Sequence, residues 1–245
     1  MNDRVMQIDV LRYRPEEDTE PVWQSYEVEC RSNWVVLDAL NHIKDHIDGT
    51  LSYRWSCHMA VCGSCGLMVN GDPVLGCKTF LRDLPAHIRV EPLGNFPVER
   101  DLVVGIDGFV EKLAEVQPYI VPRGAEPEGT HTQSPRELDR FRQYSMCINC
   151  LLCYAACPQV AMNPGYIGPA ALALAHRYNL DSRDGGSIER METTASDQGV
   201  WECTFIGECS EACPKHVDPA GAIQQMKLAA SIDWFTRPFR KEESS

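Results

Sequence analysis

The sequence predicts an α+β protein, with a small β-sheet domain first and a helical domain behind it. Three observations carry this. β-branched residues and partial apolar–polar alternation are concentrated before Pro92, whereas apolar residues at helical spacing dominate after Pro135. An Asn70-Gly71 pair between two short apolar runs signals a hairpin. The two parts also carry different cysteine patterns: Cys57, Cys62 and Cys65 in the first, and two related runs starting at Cys147 and Cys203 in the second.

In chain order, residues 5–13 read as a strand, the acidic, proline-containing Arg14–Pro21 as a turn, and Ser25–Cys30 as a second strand. Ser32 or Asn33 is the expected cap of a helix from about Trp34 to His46, with Val36, Leu37, Leu40, Ile43 and Ile47 on its apolar face and Gly49 as the stop. Leu67–Val69 and Val74–Gly76 form the hairpin around Asn70-Gly71, and His87–Pro92 a final strand. Together these make a β-grasp domain, residues 1–97. Val98–Gln117 has helical spacing, and 121–135 is rich in Pro, Gly and polar residues; 98–135 is therefore a linking helix and loop. The helical domain, 136–245, begins with Arg136–Tyr144. It continues with a helix over Gly168–Tyr178, a loop and short helix over Ser182–Gln198, and a last helix over Pro219–Ala230.

The run Cys147-x2-Cys150-x2-Cys153-x3-Cys157-Pro158 is the bacterial two-cluster ferredoxin spacing. Three of its thiolates serve one iron–sulfur cluster, and the fourth serves another. The partner run is Cys203, Cys209, Cys213-Pro214, with Ile206 where the second cysteine of the frame belongs. Crossing the fourth cysteines gives a complete [4Fe–4S] set: Cys147, Cys150, Cys153 and Cys213. The other set is Cys157, Cys203 and Cys209. An isoleucine cannot ligate iron, so [3Fe–4S] is expected there, with the branched side chain excluding water; the alternative is a four-iron cube with water or hydroxide at that corner. In the first domain, Cys57-x4-Cys62-x2-Cys65 with the distant Cys77 has the plant-type spacing for [2Fe–2S]. Gly63 and Gly66 free the backbone there, so that amides can approach the sulfides.

Zinc sites use separated cysteine pairs, and three cysteines at consecutive x2 spacings are too many for half of one. A disulfide framework suits short secreted chains. This chain has 245 residues, and its opening Met-Asn-Asp-Arg lacks the apolar run of a secretion signal. No stretch reaches the roughly 18 apolar residues of a membrane span. The formal net charge of −12 argues against nucleic acid as partner. Eleven of the twelve cysteines are placed in clusters; Cys30, on a predicted strand, is a small buried hydrophobe. No Gly-rich nucleotide fingerprint, P-loop or catalytic triad is present. Three one-electron carriers without a substrate pocket describe an electron conductor.

Over essentially its whole length the sequence resembles the iron–sulfur subunit of the fumarate reductase/succinate dehydrogenase family. The motifs are Ser56-Cys57-His-Met-Ala-Val-Cys62-Gly-Ser-Cys65-Gly, Cys147-Ile-Asn-Cys150, Ile167-Gly-Pro-Ala, His176-Arg-Tyr, Asp181-Ser-Arg-Asp184 and Cys213-Pro-Lys-His-Val-Asp-Pro. The resemblance implies electron transfer between the FAD of a catalytic flavoprotein subunit and a membrane quinone, in the order [2Fe–2S], [4Fe–4S], [3Fe–4S]. It implies a membrane anchor as second partner and a place on the cytoplasmic face of the cell membrane. Thr204, and the absence of tryptophan after Cys157-Pro158, resemble the menaquinol-linked fumarate reductase branch. In that branch a glutamine and a lysine lie near the quinone, matching Gln224 and Lys227. Two departures stand out: His58 where the family commonly has arginine, and Met226 where a smaller residue is common.

On the residues alone, Gln224 and Lys227 share a helix face that solvent could equally cover. His176 reads as a packed histidine, and His216 as a structural hydrogen-bonding residue. The tail Trp234–Lys241 mixes aromatic and basic residues; a membrane-interface segment and a disordered terminus are equal readings.

Overall fold

The computed structural model describes residues 4–122 and 129–236. The first three residues, part of the predicted loop over 121–135 and the basic end of the tail (Arg237, Arg240, Lys241) lie outside the described residues.

Alternation in the first stretch produces strand β1, Arg4–Arg12, whose Met6, Ile8 and Val10 are buried on one face. It pairs antiparallel with β2, Val22–Cys30, in register from Arg4↔Cys30 to Arg12↔Val22. The turn between them is tied by Asp18, which accepts from the Arg14 backbone N–H at 2.8 Å. Helix α1, Val36–His46, buries Val36, Leu37, Ala39, Leu40 and Ile43. Strands β3 (Gly66–Val69) and β4 (Asp72–Leu75) form the predicted hairpin. Its turn has φ 53° at Asn70 and 91° at Gly71, the paired left-handed conformation that an Asn-Gly turn supplies. Strand β5, His87–Glu91, lies parallel to β1 and antiparallel to β3. The sheet order is therefore β2-β1-β5-β3-β4. Its buried face and α1 form one core with Leu51, Leu81 and Leu102, and Cys30 belongs to that core. Burying each Leu, Ile or Val side chain contributes roughly 1.5–3 kcal/mol.

The structure corrects several local readings. The residue before α1 is Val35, not Ser32 or Asn33; its N–H donates to the Asp38 carboxylate at 2.9 Å, so the acid inside the first turn does the capping. Ile47 is half-exposed and lies past the helix end. The stretch from Val98 does not begin as a helix. It forms a small hairpin, β6 (Val98–Arg100) with β7 (Val103–Val104), before α2, Asp107–Glu115. The cause is Asp101, fully buried and left-handed at φ 47°. Its carboxylate accepts from Arg12 Nε at 3.0 Å, from Tyr13 N–H at 3.0 Å and from Ser52 N–H at 2.8 Å. Arg12 also donates to Asp48 and to the Tyr26 hydroxyl, both at 2.6 Å. A buried guanidinium with this many acceptors is satisfied, and it draws the 98–104 hairpin out of helical geometry.

The helical part follows the predicted order. Ser134 caps α3, Pro135–Phe141, with Pro135 in the first turn and Glu137 bonding back to the Ser134 N–H. Short helices α4 (Leu152–Ala155) and α5 (Pro158–Met162) follow. Next come α6 (Pro169–Asn179), α7 (Ser187–Thr194), α8 (Glu208–Glu211) and α9 (Pro219–Thr236). The last helix runs beyond the predicted Ala230. Helices α6 and α9 are in contact, and both bury small residues: Ala170, Ala171, Ala173 and Ala175 on α6, Ala220 and Ala222 on α9. Arg190 of α7 is buried against Asp184, and donates to the carbonyls of Gln117 at 2.9 Å and Tyr119 at 2.8 Å.

Two compact units emerge, and they do not follow the linear order of the chain. One comprises the chain up to Gly108 together with Ile148–Ala156 and Ala212–Lys215; the other takes Phe109–Cys147, Cys157–Glu211 and the chain from His216 on.

Candidate metal centres

The first thiol set is built on the loop between α1 and β3 and on the turn after β4. His58, Ala60 and Gly63 are left-handed, at φ 55°, 57° and 75°. That winding turns successive amides inward. The N–H groups of Met59, Val61 and Cys62 lie 3.4, 3.4 and 3.3 Å from Cys57 Sγ, and Ala60 N–H lies 3.3 Å from Cys77 Sγ. The hairpin returns Cys77 as expected: Gly76 N–H donates to the Cys65 carbonyl at 2.9 Å. The Ser64 hydroxyl, then backbone amides, hold the Cys62 thiol down at about 6, whereas burial pushes Cys65 up to about 12. His58 Nε2 lies 3.2 Å from Asp38.

Of the second set, Cys147 closes a short 3-10 turn over Tyr144–Met146. Cys150 stands between two left-handed residues, Asn149 at φ 51° and Leu151 at φ 68°. Cys153 lies buried in α4, and Cys213 follows α8. Sequence reading missed two side chains that fasten these segments. Asn95 donates to the Tyr154 carbonyl at 2.8 Å, and Lys78 donates to the Pro214 carbonyl at 3.2 Å. The turn pair Gly94-Asn95 was the available signal for the first; nothing in the sequence marks the second.

Cys157, Cys203 and Cys209 line one hollow with Tyr166, Phe205 and Ile206. Cys157 is the residue before α5, with Pro158 opening the helix; Cys203 ends a 3-10 turn over Val200–Glu202; Cys209 lies in α8. Phe205 is left-handed at φ 62°, and its N–H points at Cys203 Sγ at 3.4 Å. Ile206 does line the hollow, but it is 56% exposed, so it does not by itself seal out water as its branched side chain suggested. Burial pushes Cys209 up to about 12 and also raises Cys157. Gln224 Nε2 lies 3.9 Å from Cys203 Sγ, and Lys227 Nζ donates to the Cys203 carbonyl at 2.7 Å. The two residues thus share a helix face directed at Cys203 rather than at solvent alone. His216 is exposed, in a left-handed conformation at φ 57°.

Soft thiols with amides wound about them suit iron–sulfur chemistry. Among the described residues no three His, Cys, Asp or Glu side chains converge as closely as a single ion requires. The fit rests on the donor set and on the inward amides. No helix among the described residues is long and apolar enough to cross a membrane.

Comparison with known proteins finds two iron–sulfur domain families in the chain. Residues 7–111 match a 2Fe-2S iron-sulfur cluster binding domain, and residues 140–214 a 4Fe-4S dicluster domain. The chain is 56% identical over 234 residues to the fumarate reductase iron-sulfur subunit of Mycobacterium tuberculosis, covering 94% of each chain. It is 53% identical to that of Haemophilus influenzae, over 95% of this chain and 96% of the relative. Identity to the succinate dehydrogenase iron-sulfur subunit of Coxiella burnetii is 35%, over 91% and 95% of the two chains. A chain of the Mycobacterium smegmatis Sdh1 complex in the apo form superposes with TM-score 0.88 at 26% identity, covering 96% of this chain and 98% of that one. The chain belongs to the family of fumarate reductase/succinate dehydrogenase iron–sulfur subunits, with an N-terminal 2Fe-2S domain followed by a 4Fe-4S dicluster domain.

Proposed function

We propose that this subunit passes single electrons between the FAD of a flavoprotein partner and menaquinone held by a membrane anchor. Cys57, Cys62, Cys65 and Cys77 are the proposed [2Fe–2S] ligands; Cys147, Cys150, Cys153 and Cys213 hold [4Fe–4S]; Cys157, Cys203 and Cys209 hold [3Fe–4S]. When bound, the clusters supply one-electron redox chemistry, with potentials set by cluster type, hydrogen bonds to sulfur and burial. The chain's own residues supply the rest. Backbone amides at 59–62 place positive dipoles against sulfur charge, and Ser64 favours the Cys62 thiolate. The proposed organisation remains a [2Fe–2S] domain over 1–97, a linker over 98–135 and a two-cluster helical domain over 136–245. The complex sits on the cytoplasmic face of the membrane, held by its partners.

The convergence of Gln224 and Lys227 on Cys203 carries the quinone end of this reading. An amide and an ammonium beside the last ligand set offer a hydrogen bond and a charge to a quinone oxygen. The test is a low-temperature EPR redox titration of the complex purified from membranes. Three signals are expected: [2Fe–2S], [4Fe–4S] and an oxidised-state [3Fe–4S]. A low three-iron potential supports menaquinone. Iron counts matching two four-iron cubes, with no three-iron signal, overturn the third assignment.

A further inference from the structure

Gly63 lies between Cys62 and Cys65, and its α-carbon faces another segment of the same unit. A β-carbon built there would stand 2.8 Å from the Ile148 carbonyl oxygen and 2.9 Å from the Cys150 α-carbon. Backbone atoms cannot step aside as a flexible side chain can. Gly66 repeats the relationship: its β-carbon would stand 2.9 Å from the Cys150 carbonyl oxygen. Two glycines of the first thiol loop thus abut one cysteine of the second. The second loop is shaped to allow it, because Asn149 and Leu151 hold Cys150 between two left-handed turns. For Leu151 that conformation is strained and persists only where surroundings impose it. A second arm joins the same two sets. Lys78, next to Cys77, donates to the carbonyl of Pro214, next to Cys213.

We infer that Gly63 and Gly66 are positioning residues that set the spacing between the first and second clusters by bringing loop 57–66 into backbone contact with Cys150. The inference rests on the ligand assignment proposed above. The glycines do more than admit amides to sulfide. Their missing β-carbons determine how close the two ligand sets come.

The test uses the intact complex with Gly63→Ala, Gly66→Ala and Gly71→Ala. Gly71 is left-handed at φ 91° but has nothing within 4 Å of a built β-carbon, so it carries backbone strain without crowding. Gly66 is not left-handed, so Gly66→Ala carries the crowding without the strain and decides the matter if Gly63→Ala loads poorly. The readout is the spin–spin broadening between the reduced [2Fe–2S] and [4Fe–4S] signals, with both signals integrated for occupancy. Dipolar coupling falls steeply with separation, so the expected result is a loss of broadening at full occupancy in Gly66→Ala, and in Gly63→Ala where it loads. Gly71→Ala keeps the wild-type broadening. Unchanged broadening in a fully loaded Gly66→Ala complex overturns the inference, as does equal loss in Gly71→Ala. Absence of either signal from the wild-type complex is a different failure, that of the ligand assignment itself.

Discussion

Lys227 reaches back to the carbonyl oxygen of Cys203 at 2.7 Å, across an interval of 24 residues in the sequence. The ammonium is thereby held within 5.9 Å of the Trp201 ring centroid, and its α9 neighbour Gln224 faces the same cysteine's sulfur. A charge-assisted hydrogen bond of this kind is worth about 1.5–3 kcal/mol. Lys227→Met is expected to slow quinone-linked turnover severalfold while leaving succinate oxidation by a flavin-site dye unchanged. Measuring both activities in the purified complex checks this. An equal fall in the two would place the effect on assembly and not on the quinone end.

Ile206 stands where a cysteine would complete the frame begun at Cys203. It lines the hollow that holds the three thiols, and its exposure leaves room for a replacement to turn inward. Ile206→Cys should therefore convert the third centre to a four-iron cluster, abolishing the oxidised three-iron signal and adding about one iron per chain. Survival of that signal in a fully loaded variant would mean that the corner near Ile206 is not the vacant one.

Arg190 and Asp184 form an ion pair with both side chains essentially inaccessible to water. Burial opposes ionisation of the carboxyl, but hydrogen bonds from Arg190 and backbone amides outweigh it and hold its pKa below the ordinary carboxylate value. Arg190→Met strands that charge and releases the carbonyls of Gln117 and Tyr119, at an expected cost of about 3–5 kcal/mol. Arg100→Met, which breaks an exposed pair with Glu16, should cost less than about 1 kcal/mol. Denaturant midpoints of the two variants, measured side by side, test the contrast.

His176 packs edge-on to Tyr144 with ring centroids 5.0 Å apart, and its Nε2 lies 3.3 Å from Gln225 Oε1. Burial pushes its pKa down to about 4 despite the hydrogen bond it donates to Gln225 Oε1. The folded state thus keeps the imidazole neutral where an unfolded chain, titrating near 6.5, takes up a proton. Stability is therefore lost as pH falls from about 6.5 toward about 4, by up to about 1.4 kcal/mol per pH unit. His176→Gln should flatten this dependence. Thermal midpoints of the loaded protein at pH about 7 and about 5 check it, and an identical slope in the variant rules the mechanism out.

Much of the fold was legible because it was encoded locally. Asn70-Gly71 dictates its hairpin, and the cysteine spacings announce two kinds of cluster domain. What escaped depends on partners distant in sequence. Asp101 leaves helical geometry because Arg12, 89 residues earlier, is waiting for its carboxylate. The parallel pairing of β1 with β5 has no local signature at all. At the sites, Gly63 announced conformational freedom, but its second reason, the backbone of Cys150, became visible only in three dimensions.

The division of the chain into interleaved units has a consequence for biosynthesis. The sheet and α1 emerge early from the ribosome, yet Ala212–Lys215, which belongs to the same unit, follows Gly108 by more than a hundred residues. At ~5–20 residues per second that interval is roughly five to twenty seconds. During it the nascent N-terminal unit has neither the Pro214 carbonyl for Lys78 nor the fourth thiol of the proposed second set. On a growing chain the proposed first set, Cys57, Cys62, Cys65 and Cys77, has all its thiols once residue 77 has emerged. The proposed second set, which needs Cys213, is complete only when nearly the whole polypeptide has emerged.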